Sequence, residues 1–298
     1  MTTVDQTVAP PDGGSLKATQ RPNLRSRLPK DFGAIVALSF FGFLTFMPLL
    51  MLLQLSFKSE QQLAEHMWLP ALPLHFENYV GAWYAISPFL MNSFIFVIGT
   101  VIVSFVFSIM SSYALARYDF PGRELLYMAI LGLMMVPGIL TLLTRFLIVV
   151  KVGLNNTFWG LWLPMAAGAQ AFQIIVLRTF IASIPEDFFE AARLDGAGEL
   201  TMLWHIALPL ARPILITLMV LQANNVWNEF LWPIMVMADP HRLPAVVQIL
   251  QFIDRTTSRF DPGIERAAYV LTGLPVLLLF AFTSRAFIRG LTSGAIKM

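Results

Sequence analysis

The sequence predicts an all-α, polytopic membrane protein with six transmembrane helices, and three observations carry that reading. Apolar residues make up 57% of the 298 and charged residues only 13%, with a mean hydropathy of +0.68; a soluble domain carries about 25% charged residues to coat its surface. Six apolar runs each reach the roughly 20 residues that cross a bilayer as a helix. Lysine and arginine fall unevenly between the segments joining those runs. The runs are much longer than barrel strands and lack a two-residue alternation, so helices are what satisfy the backbone in lipid.

The elements follow in chain order. Residues 1–30 are polar, rich in Pro, Gly, Thr and Arg, with no apolar core of signal-peptide type; they read as a disordered cytoplasmic tail. A membrane domain is expected over 31–290, with spans near Phe32–Leu55, Phe89–Tyr113, Leu125–Val149, Phe158–Phe180, Pro209–Met237 and Ala267–Ile288, and a short cytoplasmic tail at 291–298. Pro137, Pro164 and Pro275 fall inside spans, where each removes a backbone donor and kinks its helix.

Orientation follows from the basic residues. Lys17, Arg21, Arg25, Arg27 and Lys30 precede the first span; with Arg117, Arg123, Arg178, Arg193, Arg212, Arg285, Arg289 and Lys297 they put 13 of the 20 basic residues on one side. Lys58, Arg145, Lys151, Arg242, Arg255, Arg259 and Arg266 hold the other. The positive-inside rule makes the richer side cytoplasmic, with both termini inside. Arg145, near the outer end of the third span, is expected to snorkel to the headgroups. The outer segments 58–86 and 238–266 carry Pro70, Pro73, Trp68 and Trp83 and read equally as interfacial segments or as a docking surface for an external protein. The outer arginines stand either to steer an anionic cargo or to dock an acidic partner.

Composition also excludes. Without cysteine there is no disulfide framework and no thiolate metal site. His66, His75, His205 and His241 are scattered, with no close ligand spacing, so no metal centre is expected. A net charge of +2 gives no reason to expect nucleic-acid binding.

One polar stretch interrupts the membrane pattern. Ser183-Ile184-Pro185-Glu186 has the spacing of a capping box, opening a helix through Phe188, Phe189, Ala191 and Ala192. Asp195-Gly196-Ala197-Gly198 closes it. A second short helix runs through Leu200, Leu203, Trp204 and Ile206, and Leu208-Pro209 turns the chain back into the fifth span. Such a rigid element with a bend at each end can pass a rigid-body shift between domains. Phe188 and Phe189 offer apolar anchors, Ala191 and Ala192 a low surface, Glu190 a partner for an arginine, and Gly196 a sharp turn.

Glu190-Ala191-Ala192, three residues, Gly196, nine residues, then Ile206-Ala207-Leu208-Pro209 resembles the coupling loop of the transmembrane subunits of bacterial ABC importers, within a loop of about 183–209. The resemblance implies the type I importer permease architecture over residues 32 to the end. It implies ATPase coupling through Phe188, Phe189, Glu190, Ala191, Ala192, Asp195, Gly196, Ile206, Leu208 and Pro209. The partners it implies are a second, related permease, two copies of an ABC ATPase, an extracytoplasmic solute-binding protein and membrane lipid, in a bacterial inner membrane. ATP and magnesium would sit on the ATPase chains; this chain has no G-x-x-x-x-G-K-[ST] phosphate loop, and is expected to carry no cofactor and to be no enzyme itself.

Gln222-Ala223-Asn224-Asn225-Val226-Trp227-Asn228-Glu229-Phe230-Leu231-Trp232-Pro233 looks like the W-N-E-F-x-x-P signature of sugar-importer permeases, most like the second permease of maltose-type systems. Asn224, Asn225, Trp227, Asn228, Glu229 and Trp232 are therefore candidates for the translocation pathway. Amides and a carboxylate bond hydroxyls and Trp faces stack on sugar rings; the alternative is that these polar groups tie helices together. The tail Gly290–Met298 resembles the segment that reaches the ATPase interface in such systems, which points to Thr292 and Gly294. Arg117-Tyr118-Asp119-Phe120-Pro121-Gly122 resembles the family's loop between spans two and three. Cargo stays open among a sugar or oligosaccharide, a glycerol phosphodiester, a polyol and an acidic oligosaccharide. An ion-gradient-driven carrier is the rival mechanism; it needs buried acidic relays, and Glu229 is the one acid within a span. A membrane-embedded enzyme finds no supporting motif.

Overall fold

Five helices are long and apolar enough to cross a membrane, and a bent pair makes a sixth span when counted as one. The computed structural model describes the backbone of residues 28–255 and 261–295, and the side chains of 32–250 and 261–284. Of the expected tail over 1–30, residues 28–30 belong to the first helix; residues 1–27, and the side chains of Thr292 and Gly294, lie outside what is described. Residues 1–50 and 51–298 are separate compact units; the first holds most of α1 (Leu28–Leu55) and the second all that follows.

The second unit is organised around α3 (Glu77–Arg117), 41 residues long and so extending well past the expected Phe89–Tyr113. It packs most extensively on α6 (Phe158–Ala182), then on α12 (Pro262–Ala295) and α9 (Leu208–Trp227). A four-residue repeat of small polar side chains, Thr100, Ser104, Ser108 and Ser112, lines its buried face. Small residues let helix backbones approach where lipid offers no hydrophobic drive between helices. The seam is closed by amide side chains from α6. Ser104 and Ser108 both donate to Gln173 Oε1, at 2.7 and 2.9 Å, and Gln170 Nε2 donates to the Ser104 carbonyl at 2.9 Å.

The third span departs from expectation. α4 (Arg123–Leu133) stops short of Pro137, and the chain resumes through the 3-10 turn Gly138–Thr141 into α5 (Leu142–Lys151), bent by 94°. Pro137 sits in extended conformation; with no N–H to continue the ladder it breaks the helix outright, whereas Pro164 and Pro275 stay within continuous helices. The fifth span is likewise interrupted: α9 ends at Trp227, and α10 (Leu231–Val236) follows a three-residue break.

Outside the spans, α2 (Glu60–Glu65) begins with a true capping box, Ser59 with Gln62. Beside it the Lys58 ammonium, its residue 1% exposed, donates to the carbonyls of His66 at 2.5 Å, Leu69 at 2.6 Å and Met67 at 3.3 Å. Burial holds its pKa below the usual lysine value. Asn78 Nδ2 donates to the Ser56 and Lys58 carbonyls, fastening this loop to the start of α3.

Candidate functional site

The loop after α6 is built against the end of α3. Ser183 does not open a helix: its hydroxyl donates to the Phe180 carbonyl at 2.7 Å, finishing α6. The expected capping box is therefore absent, and α7 (Asp187–Leu194) starts at Glu186 with no side-chain cap. The Glu186 carboxylate is taken instead by two guanidinium groups, Arg117 at 2.6 Å and Arg193 at 2.9 Å. Charge-assisted bonds of this kind outcompete a single backbone amide.

Arg117 does more than pair. Its Nη2 donates to the carbonyls of Ile181 and Ile184 at 2.6 and 2.7 Å, satisfying acceptors at and just past the C-terminal end of α6. Its guanidinium carbon lies 3.8 Å from the Phe189 ring centroid, a cation–π contact. Tyr113 donates to Glu199 at 3.0 Å, joining the same end of α3 to α8 (Glu199–Met202). Tyr118 is held above the usual tyrosine pKa by burial and by the same Glu199 carboxylate.

Helix α7 closes as the sequence predicts. Gly196 adopts φ +80°; its N–H bonds the Arg193 carbonyl at 3.0 Å and Ala197 N–H the Ala192 carbonyl at 2.9 Å. That is the double bond of a Schellman closure, which glycine enters without a Cβ penalty. The expected turn at Leu208-Pro209 does not form. α8 passes through a π-helical turn, Leu203–Ala207, straight into α9, one 29-residue stretch from Glu199 to Trp227. The widened turn directly precedes Pro209, whose ring would otherwise crowd the His205 carbonyl one α-turn back.

The loop thus has two faces. Phe189, Met202, Leu203 and Ala207 are buried with Tyr113, Ile181 and Ile184. Phe189 is 0% exposed, so it anchors the loop to its own chain and is no contact for a partner; this corrects the sequence expectation. Phe188 is 53% exposed, and Leu194, Leu200 and Trp204, none of them a sequence candidate except by helix placement, are 89%, 67% and 63% exposed. Glu190, Ala191, Asp195, Gly196 and Pro209 are exposed, while Ala192, Ile206 and Leu208 are half-buried against the inner cluster.

The W-N-E-F stretch forms the α9–α10 break. Asn228 Nδ2 donates to the Asn224 carbonyl at 2.8 Å at the end of α9, and Glu229 Oε1 accepts the Trp232 N–H at 2.9 Å at the start of α10. Trp232 is buried, its Nε1 donating to the Gly160 carbonyl at 3.1 Å. Only glycine fits at 160, since a Cβ there would lie 2.3 Å from the Leu154 carbonyl oxygen. Trp227 is also buried, edge-on to Phe94 at 5.3 Å between centroids. Neither indole ring is free to stack on a sugar, contrary to expectation. Asn224, Asn225 and Asn228 are exposed and Glu229 is half-buried.

Asn225, Glu229 and Trp232 nevertheless line one cavity of about 380 Å³, together with Gly138, Arg145 and Gln222. Arg145 does not snorkel. Its Nη2 donates to the Gly138 carbonyl at 3.0 Å in the break of the third span, and its guanidinium carbon is 5.5 Å from the Trp232 ring centroid. An arginine inside an apolar run was the available signal for this site.

A helical membrane bundle with a braced, partly apolar loop and a cavity at two broken spans that carries Arg145, Gln222, Asn225 and Glu229 has the build of a transport permease. The chain belongs to the family of binding-protein-dependent transport system inner membrane components, whose model matches residues 108–293. It is 34% identical over 251 residues to the probable ABC transporter permease protein YurM of Bacillus subtilis, covering 84% of this chain and 83% of that one. It is 32% identical over 254 residues to the diacetylchitobiose uptake system permease protein NgcG of Streptomyces coelicolor, covering 84% and 83%. In fold it matches a chain of the crystal structure of a bacterial ABC transporter involved in the import of the acidic polysaccharide alginate, with a TM-score of 0.78 at 23% identity over 88% of this chain and 98% of that one.

Proposed function

We propose that this chain is one of two permease subunits of an ATP-driven importer that carries a sugar or oligosaccharide delivered by an external solute-binding protein. ATP is hydrolysed on two separate ATPase chains, which grip the loop at Glu190–Pro209. Closing of the ATPases moves that loop, the bundle rocks, and a pathway shared with the second permease changes the side to which it opens. Both termini face the cytoplasm of a bacterial inner membrane. The carbohydrate cargo is supported by the W-N-E-F stretch and by the relative named for diacetylchitobiose uptake.

The observation that carries this reading is the exposure of Phe188, Leu194, Leu200 and Trp204 on a loop whose buried residues are packed against α3 and α6. Exposed apolar side chains beyond the bilayer need a protein partner. The test is co-purification of the ATPase with the wild-type chain and with Leu194→Glu plus Trp204→Glu. The paired charges should release the ATPase and abolish ATP-driven uptake while both permeases stay together. ATPase retention and normal uptake would refute the docking role.

A further inference from the structure

The cavity in the α4–α5 break holds a guanidinium whose donors are largely unmet, with the Glu229 carboxylate on the same wall. Among the described residues Arg145 makes no ion pair, and the Glu229 carboxylate that shares the cavity is engaged by the first turn of α10. Of the five guanidinium N–H groups, the one bond formed within the described residues goes to the Gly138 carbonyl. The Nε–H is buried and has no acceptor. A lone charge within a span is costly unless a partner meets it, and a buried donor left unmade costs a large part of its desolvation. Space for an acceptor is the cavity of about 380 Å³ itself, which Gly168 lines without a side chain of its own. Gln222 and Asn225 add neutral amides suited to hydroxyls. The guanidinium fork matches a carboxylate or phosphate in two-point contact.

We propose that Arg145 is an anion-recognising residue on the translocation pathway, and that the cargo is a hydroxylated solute bearing a carboxylate or phosphate. This rests on the importer reading and narrows its substrate class. Arg145 meets the anionic group, Gln222 and Asn225 meet hydroxyls, and Trp232 backs the guanidinium.

The test is equilibrium binding to the complete complex, purified with its partner subunits in lipid nanodiscs. The probes are a galacturonate disaccharide, sn-glycerol 3-phosphate and cellobiose, and ATP-dependent uptake of the same probes is measured separately with the binding protein present. One or both anionic probes should bind more tightly than cellobiose, and which one does so separates carboxylate from phosphate. Arg145→Gln should weaken the anion at least about tenfold, the scale of one charge-assisted contact, and leave cellobiose binding where it was. Arg145→Lys should restore part of the loss. A purely structural arginine would instead lower both probe classes alike. Equal binding of neutral and anionic probes, or an unchanged anion affinity in Arg145→Gln, overturns the proposal while ATP-driven uptake of cellobiose keeps the importer reading. Anion binding lost in Arg145→Gln without ATP-driven uptake of any probe upholds the site and overturns the importer reading.

Discussion

Arg117 covers the ring of Phe189 at 3.8 Å, and this one stack joins the end of α3 to the first turn of α7. The same guanidinium holds two carbonyls at the end of α6 and the Glu186 carboxylate, so three elements meet on a side chain that is 6% exposed. Arg117→Met keeps the apolar stem and removes every polar contact. It should lower stability by about 3 kcal/mol, as expected when one partner of a buried charged network is deleted. Thermal unfolding in detergent measures the loss, and the ratio of solute carried to ATP hydrolysed should fall with it.

The adjacent phenylalanines should respond oppositely. Phe189→Ala empties a closed site and should cost about 3–5 kcal/mol, read as lower yield and melting temperature. Phe188→Ala should stay within about 0.5 kcal/mol in stability yet weaken ATPase retention on a pull-down. Equal stability losses would contradict the two-faced loop.

Gly196 tests conformation apart from contact. Nothing lies within 4 Å of a Cβ built there, so any loss comes from its positive φ. Gly196→Val should cost about 1–2 kcal/mol of left-handed strain and reduce solute-stimulated ATPase. Gly196→Asn, which enters that region readily, should retain most activity. Similar losses in both variants would show that the surface, and not the bend, is what matters.

Lys58→Met should orphan three carbonyls in the loop that follows α2. Each unmet acceptor costs about 1 kcal/mol or more, so segment 56–79 should become sensitive to limited proteolysis while the spans remain protected. An unaltered digestion pattern would show that water replaces the ammonium.

Much of this molecule was legible in its sequence because lipid imposes simple demands. Each span needed only length and low charge to be seen, and the Gly196 closure needed only a glycine at the right place. The failures share a cause, namely partners distant in sequence. Phe188 and Phe189 have the same chemistry on an eight-residue helix, and residues far away in sequence, Tyr113 and Arg117 among them, cover only Phe189. Ser183 and Glu186 have capping-box spacing, but two arginines claim the carboxylate. Pro137 was visible, yet Pro164 and Pro275 stay inside continuous helices, so a proline alone does not tell a break from a bend. Arg145 was given to the headgroups because a linear reading cannot show that a broken helix opens a cavity beneath it. The Thr100–Ser112 stripe passed unread, since small polar residues inside an apolar run stand out only once a facing helix supplies Gln170 and Gln173.

The π turn at Leu203–Ala207 lies four residues into a rod about 44 Å long at 1.5 Å per residue, running from Glu199 to Trp227. No flexible joint separates the end that meets Tyr113 from the end that borders Asn228 and Glu229, so a push on one end is felt at the other. A π turn also stores one residue more than the α-turn it replaces. It therefore sets the rotational phase between the rod's two ends, as a spacer washer sets the angle between two cranks on one shaft. Removing a single residue inside 203–207 should let the rod relax to a plain helix with both cranks still aligned. Removing one anywhere else along it should turn them about 100° apart, and disconnect the loop at α7 and α8 from the cavity without touching either.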